Sequence, residues 1–191
     1  MRKSVAIYGG RFDPPHVSHV LAAVYALKTG GFERVLVVPV FEHAFHKQLT
    51  AFEHRARMCE LSFEGIAGVE VSRVERDLET PSLTLRTLQH LASQHPDWQM
   101  RLLVGSDVLA ETAKWHAFDR VSQLAPPYVV ARPGYDHPNS EAALLPDVSS
   151  TRIREALSAR EPEQRALLAT SVPSAVLAYI AEHRLYSGDA R

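Results

Sequence analysis

The chain reads Gly9-Gly10-Arg11-Phe12-Asp13-Pro14-Pro15-His16-Val17-Ser18-His19 in its most informative stretch. An apolar strand pattern over residues 4–8 precedes it, and an amphipathic helix pattern begins near Val17. The two glycines let the backbone approach a ligand closely at the end of the strand. The two prolines restrict the backbone where the helix starts. A strand, a glycine turn and a helix in this order predict a βα unit with a binding loop at the junction.

Two histidines stand in the predicted first turn of that helix. The spacing of His16 and His19 places both rings on the same side. A helix N-terminus carries about half a positive charge and free N–H groups, so it attracts phosphate. Imidazole nitrogens hydrogen-bond phosphoryl oxygens without forming a covalent bond. The stretch therefore predicts phosphoryl-group chemistry on a nucleotide.

Strand and helix patterns alternate along the chain. The helix pattern over residues 17–29 has an apolar stripe and ends at Gly30-Gly31; the stripe consists of Val20, Leu21, Val24 and Leu27. We predict strands over residues 4–8, 34–40, 69–74, 100–104 and 128–131. Further helices are predicted over residues 51–64 and 82–94, from 151 onward, and over 173–183. Residues 137–144 show no periodicity and are predicted to form a loose loop.

This alternation predicts an α/β fold, a Rossmann-like doubly wound parallel five-stranded sheet with flanking helices. In such a sheet the ligand lies beyond the carboxyl ends of the strands, where residues 9–19 are expected. A single domain over residues 1–191 is expected, with a C-terminal helical portion from about 149 to 186. No Gly-x-Gly-x-x-Gly follows the first strand and no Gly-x-x-x-x-Gly-Lys occurs. Dinucleotide oxidoreductases and P-loop kinases therefore lose their usual sequence support.

Composition favours a soluble enzyme. The 191 residues are 46% hydrophobic, which is enough to bury a core. The net charge of −1 provides no overall basic field for nucleic acid. Cys59 is the only cysteine, so no internal disulfide can form, and a cytoplasmic location is expected. The sequence has no signal-peptide pattern and no run of 18 apolar residues, so no membrane partner is expected.

A second pattern, Ser149-Ser150-Thr151-Arg152-Ile153-Arg154, stands at the start of a later predicted helix. Its hydroxyl residues can cap the helix, or they can offer hydroxyl and N–H groups to a phosphate. No acidic residue follows three positions after any of them, so the helix N-terminus stays electropositive. Arg154 lies one turn into the helix and can add a charge-assisted hydrogen bond. Taken alone, the pattern leaves a plain helix cap and a phosphate site both open.

The two patterns together resemble a known family of nucleotidyltransferases. The family signature Gly-Gly-x-Phe-Asp-Pro-x-His-x-Gly-His is similar to residues 9–19, with Ser18 in place of glycine and Arg11 in place of Ser or Thr. Its second signature, Ser-Ser-Thr-x-Ile-Arg, matches residues 149–154. The resemblance implies catalytic roles for His16, His19, Lys47 and Arg154. It also implies that ATP is bound by Gly9, Gly10, Phe12, Asp13, Gly105, Asp107, Ser149, Ser150, Thr151 and Ile153.

Further segments are similar to one branch of that family, the bacterial nicotinate-nucleotide adenylyltransferases. Gly105-Ser106-Asp107 resembles the Gly-x-Asp that holds the nucleotide, and Trp115-His116 resembles the Trp-His that stacks on the pyridine ring. Residues 82–88 resemble a Ser-x-Thr-x-x-Thr-Leu segment near the acceptor, and His46-Lys47 matches the end of a Pro-Pro-His stretch with its basic residue. The resemblance implies acceptor binding by Thr84, Trp115 and Lys47.

The resemblance implies a specific reaction. An oxygen of the acceptor's phosphate attacks the α-phosphorus of ATP, and pyrophosphate leaves in line. With nicotinate mononucleotide as acceptor, the product is deamido-NAD, an intermediate of NAD biosynthesis. Mg²⁺ is expected to arrive on the ATP phosphates and to keep several waters. No protein metal site is therefore expected.

Alternatives remain open at this point. The acceptor could be nicotinamide mononucleotide or phosphopantetheine, although Trp115 and the segment around Thr84 argue against the latter. Trp115 could be a half-buried core residue, and Lys47 could be a solvated loop lysine. A histidine-rich metal-binding protein is the other class, because His16-x-x-His19 and His43-x-x-His46 supply four imidazoles. The oligomeric state is not predicted.

Ser18 departs from the signature and has its own prediction. A serine with positive φ would be strained, whereas serine is common in a first helical turn. We therefore expect a helical backbone at Ser18, with the hydroxyl available to the phosphate site.

Overall fold

A computed structural model of the chain describes residues 2–42, 49–110, 112, 115–135, 137–138, 140–141, 145–159 and 162–187. The strands are β1 Lys3–Gly10, β2 Arg34–Pro39, β3 Val69–Val71, β4 Trp98–Gly105, β5 Pro127–Val130 and β6 Ser140–Glu141. The first five helices are α1 Val17–Thr29, α2 Phe52–Phe63, α3 Thr84–Gln94, α4 Ser106–Leu109 and α5 Phe118–Leu124. Three follow at the C-terminal end: α6 Ser150–Ala159, α7 Pro162–Ser171 and α8 Ser174–Glu182. A short 3-10 helix spans Val74–Asp77.

The described strands form one parallel sheet in the order β3-β2-β1-β4-β5-β6. β1 and β4 lie at the centre of the sheet, with β2 and β3 on one side and β5 and β6 on the other. The connections that leave β1 and β4 therefore run in opposite directions. This arrangement creates a crevice outside the carboxyl ends of β1 and β4. The loop that follows Gly10 leaves the sheet at this crevice, as the sequence predicts.

The predicted α/β class is confirmed, but the predicted number of strands is wrong. The sheet has six strands because Ser140 and Glu141 pair in parallel with Val129 and Val130 of β5. The pair lies within residues 137–144, for which the sequence predicts a loose loop. A two-residue edge strand is too short to show alternation, so pattern analysis has nothing to detect.

Both faces of the sheet are covered by helices. One face packs residues such as Val5 and Ile7 of β1 against Leu88 of α3 and Val121 of α5. The other face packs Ala6 of β1 against Ala23 of α1 and Phe63 of α2. This alternation follows from the two-residue period of a strand, which sends neighbouring side chains to opposite faces. The chain therefore forms three layers with the sheet in the middle.

A third cluster joins the C-terminal helices to α2. Its buried members include Met58 from α2, Ile153 from α6 and Val176 from α8. Val148 belongs to the same cluster and directly precedes the second signature, so this packing fixes where α6 begins. None of the described helices is long and apolar enough to cross a membrane.

Candidate active site

The two signatures meet at the crevice between β1 and β4, and hydrogen bonds join them directly. Arg154 donates from Nη1 to the carbonyl oxygen of Asp13 at 2.7 Å. Ser150 donates from Oγ to the carbonyl oxygen of Pro14 at 2.9 Å. The N-termini of α1 and α6 are therefore held next to the same loop. This loop is the part of the fold where free N–H groups and basic side chains converge.

His16 and His19 form a close pair at the start of α1. Their ring centroids lie 3.7 Å apart, and the backbone N–H of His16 donates to Nδ1 of His19 at 3.1 Å. The other side of His19 faces Phe12, whose ring centroid lies 4.9 Å away. Because Nδ1 accepts a hydrogen bond, the proton of a neutral His19 resides on Nε2. This leaves an N–H donor with a fixed ring orientation.

Both imidazoles are neutral at physiological pH. Burial, followed by the charge of Arg132, lowers the pKa of His16 to about 3. Burial and the adjacent His16, with smaller effects of Arg132 and Arg11, hold the pKa of His19 well below its usual range. Neutral rings keep N–H donors in place without adding a buried charge. A polyanionic ligand would oppose these effects and favour protonation.

Two buried side-chain atoms of the described residues have no hydrogen-bond partner: Nδ1 of His16 and Oδ1 of Asp107. An unmet buried polar atom costs about 1–3 kcal/mol, so such atoms are rare outside functional sites. Both belong to residues that the sequence assigns to this site. The two buried polar atoms without a partner therefore belong to the site where a ligand is expected to bind.

Gly105 allows Asp107 to approach the crevice. A Cβ at Gly105 would overlap Oδ1 of Asp107 and lie 2.9 Å from Cδ of Arg132. Asp107 also faces Arg132, with 3.6 Å between Oδ2 and Nη1. A side chain at position 105 would displace this pair. At β1, a Cβ on Gly9 would meet no atom within 4 Å, so the space beside Gly9 is open.

The second signature serves partly as a helix cap. The hydroxyl of Ser149 accepts the N–H of Arg152 at 3.3 Å, which is the cap that its residue type predicts. Thr151 is exposed, and its hydroxyl accepts from Nη2 of Arg154 at 3.3 Å. Ile153 is fully buried in the third cluster, so only its main chain can face a ligand.

Three residues of the first signature support the loop from inside. Phe12 is 1% exposed and adopts φ 48, with its ring beneath His19. A Cβ on Gly10 would lie 3.0 Å from that ring, which explains a glycine there. Asp13 is buried, and both of its carboxylate oxygens accept hydrogen bonds from the protein, from Tyr186 and from Thr50. The side chains of Phe12 and Asp13 are thus occupied within the protein, and ATP binding by these two residues stays a prediction that concerns their main chain.

Ser18 has the helical backbone expected, since it lies in α1 and outside the residues with positive φ. Its hydroxyl, however, donates to the carbonyl oxygen of Pro146 at 2.8 Å and is buried. The expectation that this hydroxyl joins the phosphate site is therefore wrong. Ser18 instead ties α1 to the segment that leads into α6.

Of the residues expected to bind the acceptor, Trp115 lies before α5 and Thr84 begins α3. Trp115 is half-buried and makes an edge-on contact with Phe118, with centroids 5.8 Å apart. Thr84 begins α3 and is also half-buried. Two residues before Thr84, the hydroxyl of Ser82 accepts the N–H groups of Phe41 and Glu42. Lys47, with His43 and His46, lies outside the described residues.

Sequence analysis assigned no role in the site to Arg132, which follows β5. Its guanidinium donates from Nη2 to the carbonyl oxygen of Val148 at 2.9 Å and faces Asp107. Its backbone N–H donates to the buried hydroxyl of Ser106 at 2.9 Å. A polar residue directly after a buried strand marks the carboxyl edge of the sheet, and that signal was present at Arg132.

Comparison with known proteins agrees with both signatures. A family model described as cytidylyltransferase-like matches residues 7–156. A probable nicotinate-nucleotide adenylyltransferase of Anaeromyxobacter sp. (strain K) is 46% identical over 189 residues, covering 97% of this chain and 98% of the relative. Another, from Myxococcus xanthus, is 38% identical over 183 residues, covering 95% of this chain and 94% of the relative.

The chain belongs to the nicotinate-nucleotide adenylyltransferase family. The resemblance inferred from the two signatures is thus confirmed, and it extends over nearly the whole chain. Family membership also explains the second signature and Gly105-Ser106-Asp107. The alternative, a histidine-rich metal-binding protein, explains neither. Among the described residues, no group of three His, Cys, Asp or Glu could hold a metal ion.

Solved structures of adenylyltransferases share the fold. The Plasmodium falciparum nicotinic acid mononucleotide adenylyltransferase complexed with NaAD aligns with a TM-score of 0.77 at 20% identity, covering 96% of this chain and 97% of that one. The same enzyme complexed with APC gives a TM-score of 0.78 at 19% identity, with the same coverage. At this identity the likeness establishes the architecture alone.

Proposed function

We propose that the protein transfers the adenylyl group of ATP to nicotinate mononucleotide, forming deamido-NAD and pyrophosphate. The observation that carries the proposal is the pair of neutral imidazoles at the N-terminus of α1, joined by Arg154 and Ser150 to the N-terminus of α6. Two helix N-termini and a guanidinium then converge on one loop, an arrangement suited to a triphosphate. The names of the relatives support nicotinate mononucleotide as the acceptor.

The reaction forms one phosphorus–oxygen bond and breaks another. A phosphate oxygen of nicotinate mononucleotide attacks the α-phosphorus of ATP, and the bond to the β-phosphate oxygen breaks as pyrophosphate departs with that electron pair. Little covalent work falls to the protein, so orientation and charge stabilisation dominate. Correct orientation alone can contribute about 7–11 kcal/mol to lowering the barrier.

His19 is proposed to donate to the α-phosphate. Its Nε2–H is free to do so because Nδ1 already accepts the N–H of His16. A neutral donor that is already oriented stabilises charge developing on phosphoryl oxygens without reorganisation. Arg154 and Lys47 are proposed to add positive charge, and Arg132 lies in the same region. Gly9, Gly10, Ser149, Ser150 and Thr151 are proposed to contact ATP through main-chain and hydroxyl groups.

Mg²⁺ is proposed to enter with ATP. Mg²⁺ dehydrates reluctantly and is usually bound through substrate phosphates with several waters kept, which supports entry of the ion together with the triphosphate. The ion would offset charge on the leaving pyrophosphate. Asp107 is proposed to bind the nucleotide through its buried, unpartnered oxygen.

On the acceptor side, Trp115 is proposed to stack on the pyridine ring and Thr84 to lie near its carboxylate. Because nicotinate presents only acceptor atoms, its recognition requires donors, for which the N–H groups at the start of α3 are available. An amide would present its own N–H to these donors. The site should therefore discriminate against nicotinamide mononucleotide.

The proposal is tested by measuring pyrophosphate release from Mg-ATP with nicotinate mononucleotide, phosphopantetheine or no acceptor. We expect release only with nicotinate mononucleotide, at a rate proportional to the enzyme concentration. Activity with phosphopantetheine alone would place the protein in a different branch of the nucleotidyltransferases. Acceptor-independent release would indicate that ATP hydrolysis is the reaction.

A further inference from the structure

The carboxylate of Asp13 connects three separate parts of the chain. Its Oδ1 accepts the phenol of Tyr186 at 2.6 Å, and its Oδ2 accepts the backbone N–H of Thr50 at 3.2 Å. The residue is 4% exposed, so both oxygens are used within the protein. A buried carboxylate requires such partners because its desolvation is otherwise too costly. Asp13 therefore holds its position through a residue located 173 positions later in the chain.

The main chain around Asp13 carries the contacts of the phosphate site. The guanidinium of Arg154 is held by the carbonyl oxygen of Asp13, and Ser150 by that of Pro14. His16 follows two residues after Pro14 and is the N-cap of α1. Any displacement of Asp13 would thus move the cationic group and both helix N-termini proposed to bind ATP.

Thr50 is fixed from its other side as well. Its carbonyl oxygen accepts Nε of Arg55 at 2.7 Å. Arg55 is 1% exposed and also donates to the carbonyl oxygens of Arg11 at 3.0 Å and Phe41 at 3.2 Å. The loop around residues 11–14 and the segment around Thr50 are therefore attached to one buried guanidinium. Tyr186 adds a contact to the Asp13 carboxylate from the segment after α8.

The C-terminal segment reaches Asp13 by an unusual backbone path. After α8 ends at Glu182, Arg184 has φ 52 and Tyr186 has φ 60. Residues with a Cβ rarely occupy this left-handed region, and they remain there only where surrounding contacts compensate. Leu185 and Tyr186 pack against the third cluster, which includes Val148 and Ile153 beside the second signature. Burial and the charge of Asp13 raise the pKa of Tyr186, so its hydroxyl remains a donor.

We propose that Tyr186 is a positioning residue for ATP binding: through its hydrogen bond to Asp13, the C-terminal segment fixes the loop that orients Arg154 and the N-termini of α1 and α6. The proposal deepens the proposed function and rests on ATP as the nucleotide. Asp13 then acts by holding the loop in place. The hydrogen bond from Tyr186 orders the loop before ATP binds. Loss of this bond should therefore weaken ATP binding more than it lowers turnover.

The test compares Tyr186→Phe with Tyr179→Phe. Tyr179 lies on α8, and its hydroxyl contacts Nδ1 of His54 at 2.9 Å, so the control removes the same atom from the same region without touching Asp13. ATP affinity is measured by titration calorimetry on the full chain with Mg-ATP alone, and kcat and KM with both substrates. Loss of a hydrogen bond to a charged group changes an equilibrium constant by about 10- to 100-fold, and part of this change should appear in the Kd for ATP.

We expect Tyr186→Phe to raise the Kd and KM for ATP at least ~5-fold while kcat falls less than ~3-fold. Tyr179→Phe should keep the wild-type values even if it lowers Tm equally. Asp13→Asn should raise the Kd for ATP as well, and adding Tyr186→Phe to Asp13→Asn should change it little further, since the Tyr186 hydroxyl acts through the Asp13 carboxylate.

Wild-type ATP affinity in Tyr186→Phe, an equal loss in Tyr179→Phe, or additive effects of the Asp13 and Tyr186 changes would each overturn the proposal. If Tyr186→Phe is too unstable to measure, Asp13→Asn alone decides, and wild-type affinity there overturns it. Because the readout is ATP binding by the protein alone, failure of nicotinate mononucleotide as acceptor would overturn the proposed function without affecting this test.

Discussion

At the scale of single residues, the account depends on a neutral imidazole donor at the start of α1. His19 is oriented by the N–H of His16 on one nitrogen, and it faces Phe12. A donor held in this way costs no reorganisation when charge develops on the substrate. The contribution of His19 should therefore appear mainly in turnover.

We predict that His19→Ala lowers kcat at least ~10²-fold, as expected for loss of one oriented oxyanion-type donor. The KM for ATP should change much less. Steady-state kinetics with both substrates measures the two effects. His90→Ala on α3 is the control and should retain wild-type kcat. A near-normal kcat with a raised KM in His19→Ala would assign this residue to binding.

The burial of His16 predicts a pH dependence of stability. Its pKa falls from an ordinary value of 6.5 to about 3, so between these values the unfolded chain binds a proton that the folded chain does not. The effect of His16 on the free energy of unfolding is therefore most favourable above pH 6.5. As the pH falls below 6.5, this free energy decreases. By linkage, wild type should lose about 2–3 kcal/mol more than His16→Asn between pH 7 and pH 4.5.

Urea unfolding at several pH values checks this difference. Both proteins share the titration of their carboxyl groups, so subtracting one curve from the other leaves the titration of His16 together with its effect on the pKa of the adjacent His19. Parallel curves over this range would show that His16 titrates in the folded protein as it does in the unfolded chain.

Trp115 provides the residue-scale test of the acceptor site. Stacking on an aromatic side chain is worth about 1–3 kcal/mol per base, and a pyridine ring should fall in the lower half. Trp115→Ala should therefore raise the KM for nicotinate mononucleotide ~5–15-fold and barely change that for ATP. Trp98→Ala is the matched control, because Trp98 stacks on His95 at the opposite end of β4. An equal rise for both substrates would contradict a stacking role.

At the scale of elements, α1 shows what local patterns can and cannot predict. Its bounds, Val17–Thr29, are those predicted, because prolines precede the helix and glycines follow it. The predicted apolar stripe is confirmed only in part: Val20 and Leu27 pack against the core, but Leu21 is 39% exposed. The fully buried residues of the helix are Ser18, Ala22, Ala23 and Ala26. Small residues let the helix approach the sheet closely. Hydrophobic periodicity gives alanine and serine less weight than leucine and valine, so it does not predict that these small residues are the buried ones.

Other elements differ for equally physical reasons. Most predicted bounds agree within two residues, but the strand over 69–74 ends at Val71, and Val74 already begins the 3-10 helix. The short helices α4 and α5 have four and seven residues, too few to show a helical period. Helix α7 was also not predicted.

Ser18 links α1 to the segment before α6, which gives an element-scale prediction. Ser18→Ala removes the buried hydroxyl that donates to Pro146, at a cost of about 1 kcal/mol in the free energy of unfolding. Ser18→Gly should cost up to ~1 kcal/mol more because glycine is a poor helix former. Chemical denaturation measures both values. Ser93→Ala, at the exposed end of α3, should stay within about 0.5 kcal/mol of wild type. Greater stability of Ser18→Gly than wild type would contradict a helical backbone at position 18.

At the scale of the whole molecule, the site is built from contacts between distant parts of the sequence. The sequence predicts both signatures and the crevice that joins them, since strand ends in a parallel sheet share one edge. It does not predict that Asp13 turns inward toward Tyr186, or that Arg132 lies between Asp107 and Val148. Such contacts depend on the packing of the C-terminal helices. Because this packing anchors the signature loop, we propose that residues 1–191 function as one domain.

The acceptor is the central claim, and one competition measurement tests it most directly. The full chain is incubated with Mg-ATP and equal concentrations of nicotinate and nicotinamide mononucleotide, and early dinucleotide products are quantified by mass spectrometry. The product ratio at equal concentrations equals the ratio of kcat/KM values. A site that donates to a carboxylate should yield deamido-NAD over NAD by at least ~10²-fold. Comparable amounts of the two products, or an excess of NAD, would contradict the account.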